Sequence, residues 1–253
     1  MANIRLRTVR SLKARMRMFF LRQKMENKLL NYFTKLELTL WCFSVALIVV
    51  SFCIFDGSNY LTLAASLIGV TSLLFNAKGN PIGQVLMVIF SIIYGIISFG
   101  FAYYGEMITY VFMSMPMAIF SLISWLKHPY NGDKSQVKIS ELTKKETTFM
   151  IFSSAVVTGA FYFILKAFNT ANLLPSTISV TTSFLAVYLT YKRSPFFALA
   201  YAANDLVLII LWTMASVTDT RYISVLVCFS AFFLNDIYGF ISWRKMKKKQ
   251  AEN

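Results

Sequence analysis

Apolar residues fall in eight long runs, at about 37–55, 59–76, 82–103, 107–126, 148–167, 174–191, 196–217 and 222–243. A helix rises about 1.5 Å per residue, so runs of about twenty residues each cross the ~30 Å hydrocarbon layer of a bilayer. Short polar breaks separate them, except for a longer one from His128 to Thr147 that carries Asn131-Gly132-Asp133 as a turn signal. The pattern predicts an all-α polytopic membrane protein of eight transmembrane helices. Ahead of the first run, Leu6, Val9, Leu12, Met16 and Phe19 or Phe20 recur every three to four residues, with Arg5, Arg7, Arg10, Lys13 and Arg17 largely elsewhere. That spacing predicts a basic amphipathic helix lying on the inner leaflet.

Composition excludes a soluble domain: 57% of residues are hydrophobic, 14% are charged, and the mean hydropathy is +0.59. The net charge of +14 raises nucleic acid as a partner. The basic residues, however, sit at helix ends rather than among polar surface residues, which points to membrane anchoring and no nucleic acid. With the amino terminus inside, 23 of the 25 Lys and Arg lie in inner segments, leaving Lys166 and Arg221. The positive-inside rule then places both termini in the cytoplasm.

Two phrases recur. Ile123-Ser124-Trp125-Leu126-Lys127 closes one run and Ile241-Ser242-Trp243-Arg244-Lys245 another, 118 positions on. Lys78-Gly79-Asn80-Pro81 and Lys192-Arg193-Ser194-Pro195 stand one run earlier, 114 apart. Doubling of this kind predicts a transporter of two parallel three-helix halves. The expected order is a basic amphipathic segment (1–36), a leader helix (37–55), a first three-helix unit (56–127) and a cytoplasmic loop (128–147). A connecting helix (148–170), a second three-helix unit (171–245) and a basic tail (246–253) follow. The connecting helix is required, because two triplets run the same way only if an odd number of crossings joins them.

Polar groups inside apolar helices mark the candidate site, since each one left unsatisfied in lipid costs several kcal/mol. Asn204-Asp205 and Asn235-Asp236 stand out, with Gln84 near the inner end of the third run. Carboxamides both donate and accept, which suits sugar hydroxyls or another amide. The sixth run is rich in hydroxyls, and Thr182 is its candidate. Tyr94, Tyr201, Trp212 and Tyr238 are candidate ring faces for a flat cargo. Trp125 and Trp243, beside Lys127 and Lys245, read as interfacial anchors. Cys42, Cys53 and Cys228 read as small core residues, and His128 as an interfacial one. Neither a nucleotide-binding motif nor a nucleophile–base pair is present, so no enzyme, metal or cofactor is expected.

Asn80-Pro81-Ile82-Gly83-Gln84, Tyr103-Tyr104-Gly105-Glu106, the stretch from Ser194 to Asp205, and Asn235-Asp236-Ile237-Tyr238-Gly239-Phe240 resemble the PnuC family of bacterial vitamin transporters. The likeness covers roughly residues 37–245. It implies a SWEET-like 3+1+3 repeat behind a leader helix, in the inner membrane, assembled as a homotrimer. It implies nicotinamide riboside as cargo, facilitated diffusion, and trapping through phosphorylation by a cytoplasmic kinase. Gln84, Asn204 and Asn235 match the family's amide positions. Where some members carry tryptophans in the sixth helix, this chain has Phe184, Ala186, Val187 and Tyr188. Two alternatives stay open: a related vitamin such as thiamine or riboflavin, and a proton-coupled transporter using Asp205 or Asp236.

Overall fold

A computed structural model describes residues 32–100, 103–170 and 172–252. The amphipathic helix expected in residues 1–36 lies, up to residue 31, outside the described residues. By its contacts the chain forms two units, 1–40 and 41–253. In the first, the Glu37 N–H donates to Thr34 Oγ1 (3.2 Å) and the Thr34 N–H to Glu37 Oε2 (2.7 Å). This capping box starts α1, Lys35–Phe55.

The second unit carries the rest of α1, then α2 (Tyr60–Ala77), α3 (Ile82–Gly100) and α4 (Tyr104–Lys127). A hairpin of β1 (Pro129–Tyr130) and β2 (Asp133–Val137) follows. The chain ends with α5 (Lys144–Ala167), α6 (Leu173–Tyr191), α7 (Phe197–Ser216) and α8 (Ile223–Glu252). All eight helices are long and apolar enough to span a membrane. α8 packs on α7 and α2, α4 packs on α3 and α6, and α5 rests on α6. Phe149, Ile151, Phe152, Val156 and Phe163 leave much of α5 apolar and exposed, as a lipid-facing helix requires.

Two boundaries differ from the hydropathy reading by more than three residues. α5 begins at Lys144 rather than 148, because Thr143 and Glu146 form a second capping box ahead of the apolar run. α8 runs on to Glu252, so the stretch 246–252 is helical rather than a tail. The Gln250 carboxamide holds it in place, donating to the Val137 carbonyl (3.0 Å) and accepting from the Ile139 N–H (2.9 Å).

α2 and α6 end alike. Gly79 (φ +66°) and Arg193 (φ +58°) both turn left-handed, and the next residue's N–H reaches back to Phe75 or Leu189, each at 3.0 Å. This is a Schellman stop. Gly79 adopts the turn without cost, whereas an arginine there is strained by about 1–2 kcal/mol. The end of β2 and the segment after it touch both corners. The Val137 N–H donates to the Gly79 carbonyl (2.9 Å) and the Ser140 N–H to that of Arg193 (3.1 Å). The Asn131-Gly132 turn behind it has φ of +49° and +78°, the paired positive values of a tight hairpin.

Candidate functional site

Three helices present one face each to a common cleft. Met87 and Phe90 recur at helical spacing on α3, Tyr201 and Asp205 on α7, and Phe229, Phe232 and Asp236 on α8. α4 adds Tyr110 and Ser114, α6 adds Ser183, and Asn204 sits at the edge of the α7 face. The α4 contribution depends on Pro116. Its ring cannot donate a backbone bond, and just before it Thr109–Ser114 widen into a π-helical turn in which the Met115 N–H reaches the Tyr110 carbonyl five residues back. Gly95 of α3 lies so close to this segment that a Cβ there would stand 2.5 Å from Val111.

The polar groups are held firmly. Asn204 Oδ1 accepts from Thr182 Oγ1 (2.8 Å) and Ser183 Oγ (3.0 Å), both on α6. Asp205 on α7 and Asp236 on α8 line the same cleft. Asn204, Asp205 and Asp236 are all buried.

Aromatic layers close the cleft at both ends. At the end away from the hairpin, the Trp212 indole donates to the Tyr94 hydroxyl at 3.0 Å. Tyr103 and Tyr222 pack on Trp212 with ring centres 4.9 and 5.5 Å away. Behind Tyr110, Glu106 is buried and accepts from Ser179 Oγ (2.9 Å).

At the hairpin end, Trp243 packs on Phe197 (4.7 Å) and Trp125 (5.4 Å). The Trp243 indole donates to the Asn76 carbonyl of α2 (2.7 Å), and the Trp125 indole to the Thr190 carbonyl of α6 (3.0 Å). Ser242 and Ser124 repeat the pattern one residue along, donating to the carbonyls of Ala77 (2.8 Å) and Tyr191 (3.0 Å). The expectation that these tryptophans anchor at the interface is therefore corrected: they are 1% and 0% exposed. They add a second donor to helix-end carbonyls that also accept from the Gly79 N–H (2.9 Å) and the Arg193 N–H (3.0 Å).

Of the residues chosen from sequence, the structure brings Asn204, Asp205 and Tyr201 together at the cleft, with Thr182 bonded to Asn204 behind it and Tyr94 and Trp212 closing one end. It does not bring in Gln84, whose Nε2 donates to Asn76 Oδ1 (2.9 Å) in the α2–α3 corner. Gly83 makes that corner possible, since a Cβ there would fall 2.1 Å from Asn76 Oδ1. Asn235 is also turned away, donating to Ser44 Oγ of α1 and to the Ala231 carbonyl, both at 2.8 Å. Tyr238 is half-buried and outside the lining. Phe184 and Tyr188 stack on each other, and Tyr188 lies against Phe149 of α5. The aromatic wall therefore comes from α3, α4 and α8 instead. Phe90, Tyr110, Ser114, Phe229 and Phe232 were not singled out from sequence. Phe90 stands four residues from Tyr94 and Phe232 three and four from Asn235 and Asp236, whereas nothing in the sequence marks Tyr110, Ser114 or Phe229.

A family model described as nicotinamide mononucleotide transporter matches residues 59–245. The chain is 23% identical over 202 residues to the nicotinamide riboside transporter PnuC of Neisseria mucosa, covering 78% of this chain and 77% of that one. It is 23% identical over 196 residues to the PnuC of Haemophilus influenzae, covering 76% and 82%. Its fold is similar to the crystal structure of the vitamin B3 transporter PnuC, with a TM-score of 0.76 at 22% identity over 86% of this chain and 94% of that one.

Proposed function

Because the chain belongs to the nicotinamide mononucleotide transporter family, a family of membrane transporters rather than enzymes, we propose that it takes nicotinamide riboside into the bacterial cell through the cleft between α3, α4, α7 and α8. It is a multi-pass protein of the bacterial inner membrane. The observation that carries the reading is the cleft itself, where an oriented carboxamide, two carboxyls and hydroxyls meet a wall of rings. A ribose needs paired donors and acceptors, and a pyridinium ring needs an aromatic face. The latter is worth about 2 kcal/mol once water is excluded.

The cleft holds only about 30 Å³. Ligand pockets are commonly about 300–1,000 Å³, so this is a closed form that must open to receive a nucleoside. The two aromatic layers are the gates, and the reciprocal tryptophan bonds mark where α2–α4 part from α6–α8. These triplets act as the two parallel halves of a SWEET-like 3+1+3 repeat and rock about the central site. The hairpin end, with its Lys and Arg, is cytoplasmic, as are both termini. The sequence carries no nucleotide-binding motif of the Walker type, and transport is facilitated diffusion, made one-way when a cytoplasmic kinase phosphorylates the cargo. The assembly is a homotrimer.

Binding to the purified protein tests the reading. Saturable nicotinamide riboside binding, without thiamine or riboflavin binding, is expected. Binding of thiamine or riboflavin in its place would contradict it.

A further inference from the structure

A groove of about 460 Å³ opens at the hairpin end, between the start of α5, the α6–α7 corner and the end of α8. It is far larger than the central cleft and shares no residue with it. One wall is apolar, from Leu142, Met150, Leu189 and Phe196. The other is polar. Arg244 and Lys247, three residues apart on one face of α8, meet Ser194 of the corner there. Lys247 is paired with Glu141, the one carboxylate in the lining. Arg244 makes no ion pair among the described residues and lies over the Phe196 ring, 5.9 Å from its centre. The lining thus holds one cation in excess. Ser194 is 2% exposed, and its hydroxyl hydrogen meets no acceptor among the described residues.

Depth in the membrane decides what fits. Arg244 is the first residue past the apolar run of α8, and Met150 lies just inside the start of the run of α5. The cation therefore stands at the level of lipid headgroups, and the apolar wall leads from it toward the hydrocarbon. A free anion would satisfy Arg244 and leave that wall bare, whereas a neutral lipid would cover the wall and leave the excess charge unmatched. We propose that this groove binds one anionic phospholipid of the inner membrane. Its phosphodiester accepts from the Arg244 guanidinium and the Ser194 hydroxyl, and its upper acyl chain lies along Leu142, Met150, Leu189 and Phe196. Bound there, the lipid ties α5 to the corner and to α8. The proposal stands on the membrane placement of the chain and is independent of its cargo.

Native mass spectrometry and thermal unfolding of the full chain, stripped of lipid in a neutral detergent, test it. Added phosphatidylglycerol should leave one tightly held lipid per chain and raise the unfolding midpoint by several degrees. Phosphatidylcholine and glycerol 3-phosphate should do neither. Arg244→Gln should weaken phosphatidylglycerol binding about tenfold or more, through loss of a charged hydrogen bond. Lys245→Gln removes an equal charge outside the lining and should leave binding within about twofold. Met150→Trp fills the apolar wall and should displace the lipid with every charge in place, and it carries the test alone if Arg244→Gln does not fold. Undiminished binding in Arg244→Gln or Met150→Trp, or an equal loss in Lys245→Gln, would overturn the proposal. Stabilisation by glycerol 3-phosphate would overturn it in favour of a soluble anion. Lipid-free oligomers that Met150→Trp dissociates would overturn it in favour of a second copy of the chain.

Discussion

The indole N–H of Trp243, at the end of α8, donates to the main-chain carbonyl of Asn76 at the end of α2, 2.7 Å away. Trp125 at the end of α4 makes the same bond to Thr190 of α6 at 3.0 Å. The donors are 118 positions apart and the acceptors 114, matching the doubled phrases of the sequence. α8 thus caps α2, and α4 caps α6. Under the proposed rocking of two halves, parting them breaks these bonds, as a gate requires.

Replacing Trp243 with Phe keeps the ring and removes the donor. The Asn76 carbonyl keeps the Gly79 N–H but loses its indole donor, at a cost of about 0.5–1.5 kcal/mol to the closed hairpin end. With Cys42, Cys53 and Cys228 replaced, a cysteine at Ser183 should react faster in Trp243→Phe with a membrane-impermeant thiol reagent applied from the hairpin side. Equal rates in the two backgrounds would remove Trp243 from the gate.

At the opposite end, Trp212→Phe leaves the Tyr94 hydroxyl without its indole donor in a buried setting. A loss of about 1–3 kcal/mol is expected, read as a lower unfolding midpoint in detergent. Tyr94→Phe removes the acceptor instead, and the double variant should be less destabilised than the sum of the two single ones, because the residues share one bond.

Asn204 and the other two amides separate by position. Asn204→Ala should weaken nicotinamide riboside binding about ten- to a hundredfold through lost polar contacts. Gln84→Ala and Asn235→Ala should keep the affinity within about threefold and lower stability instead, since each serves a helix–helix contact by a bond of modest net worth. Titration of the three purified variants checks this ordering.

Much of the architecture was legible because lipid allows few solutions. Eight apolar runs became eight helices, and Asn131-Gly132 became the hairpin turn. The faces of those helices were harder to read. Asn235 and Asp236 are neighbours, so a helix turns them about 100° apart, and only Asp236 reaches the cleft. Gln84 shares a face with Met87, yet Asn76, coming from α2, intercepts its amide before the cleft. Trp125 and Trp243 stand beside lysines, which favoured the interface. Nothing local to either residue reveals that the facing helix offers a helix-end carbonyl.

Uptake of nicotinamide riboside by proteoliposomes holding the purified chain most directly tests the central claim. Saturable influx should equilibrate across the membrane when no kinase is enclosed, rise above equilibrium when a nicotinamide riboside kinase and ATP are enclosed, and fall sharply in Asn204→Ala. Influx no faster than into protein-free vesicles, or full uptake by Asn204→Ala, would contradict it.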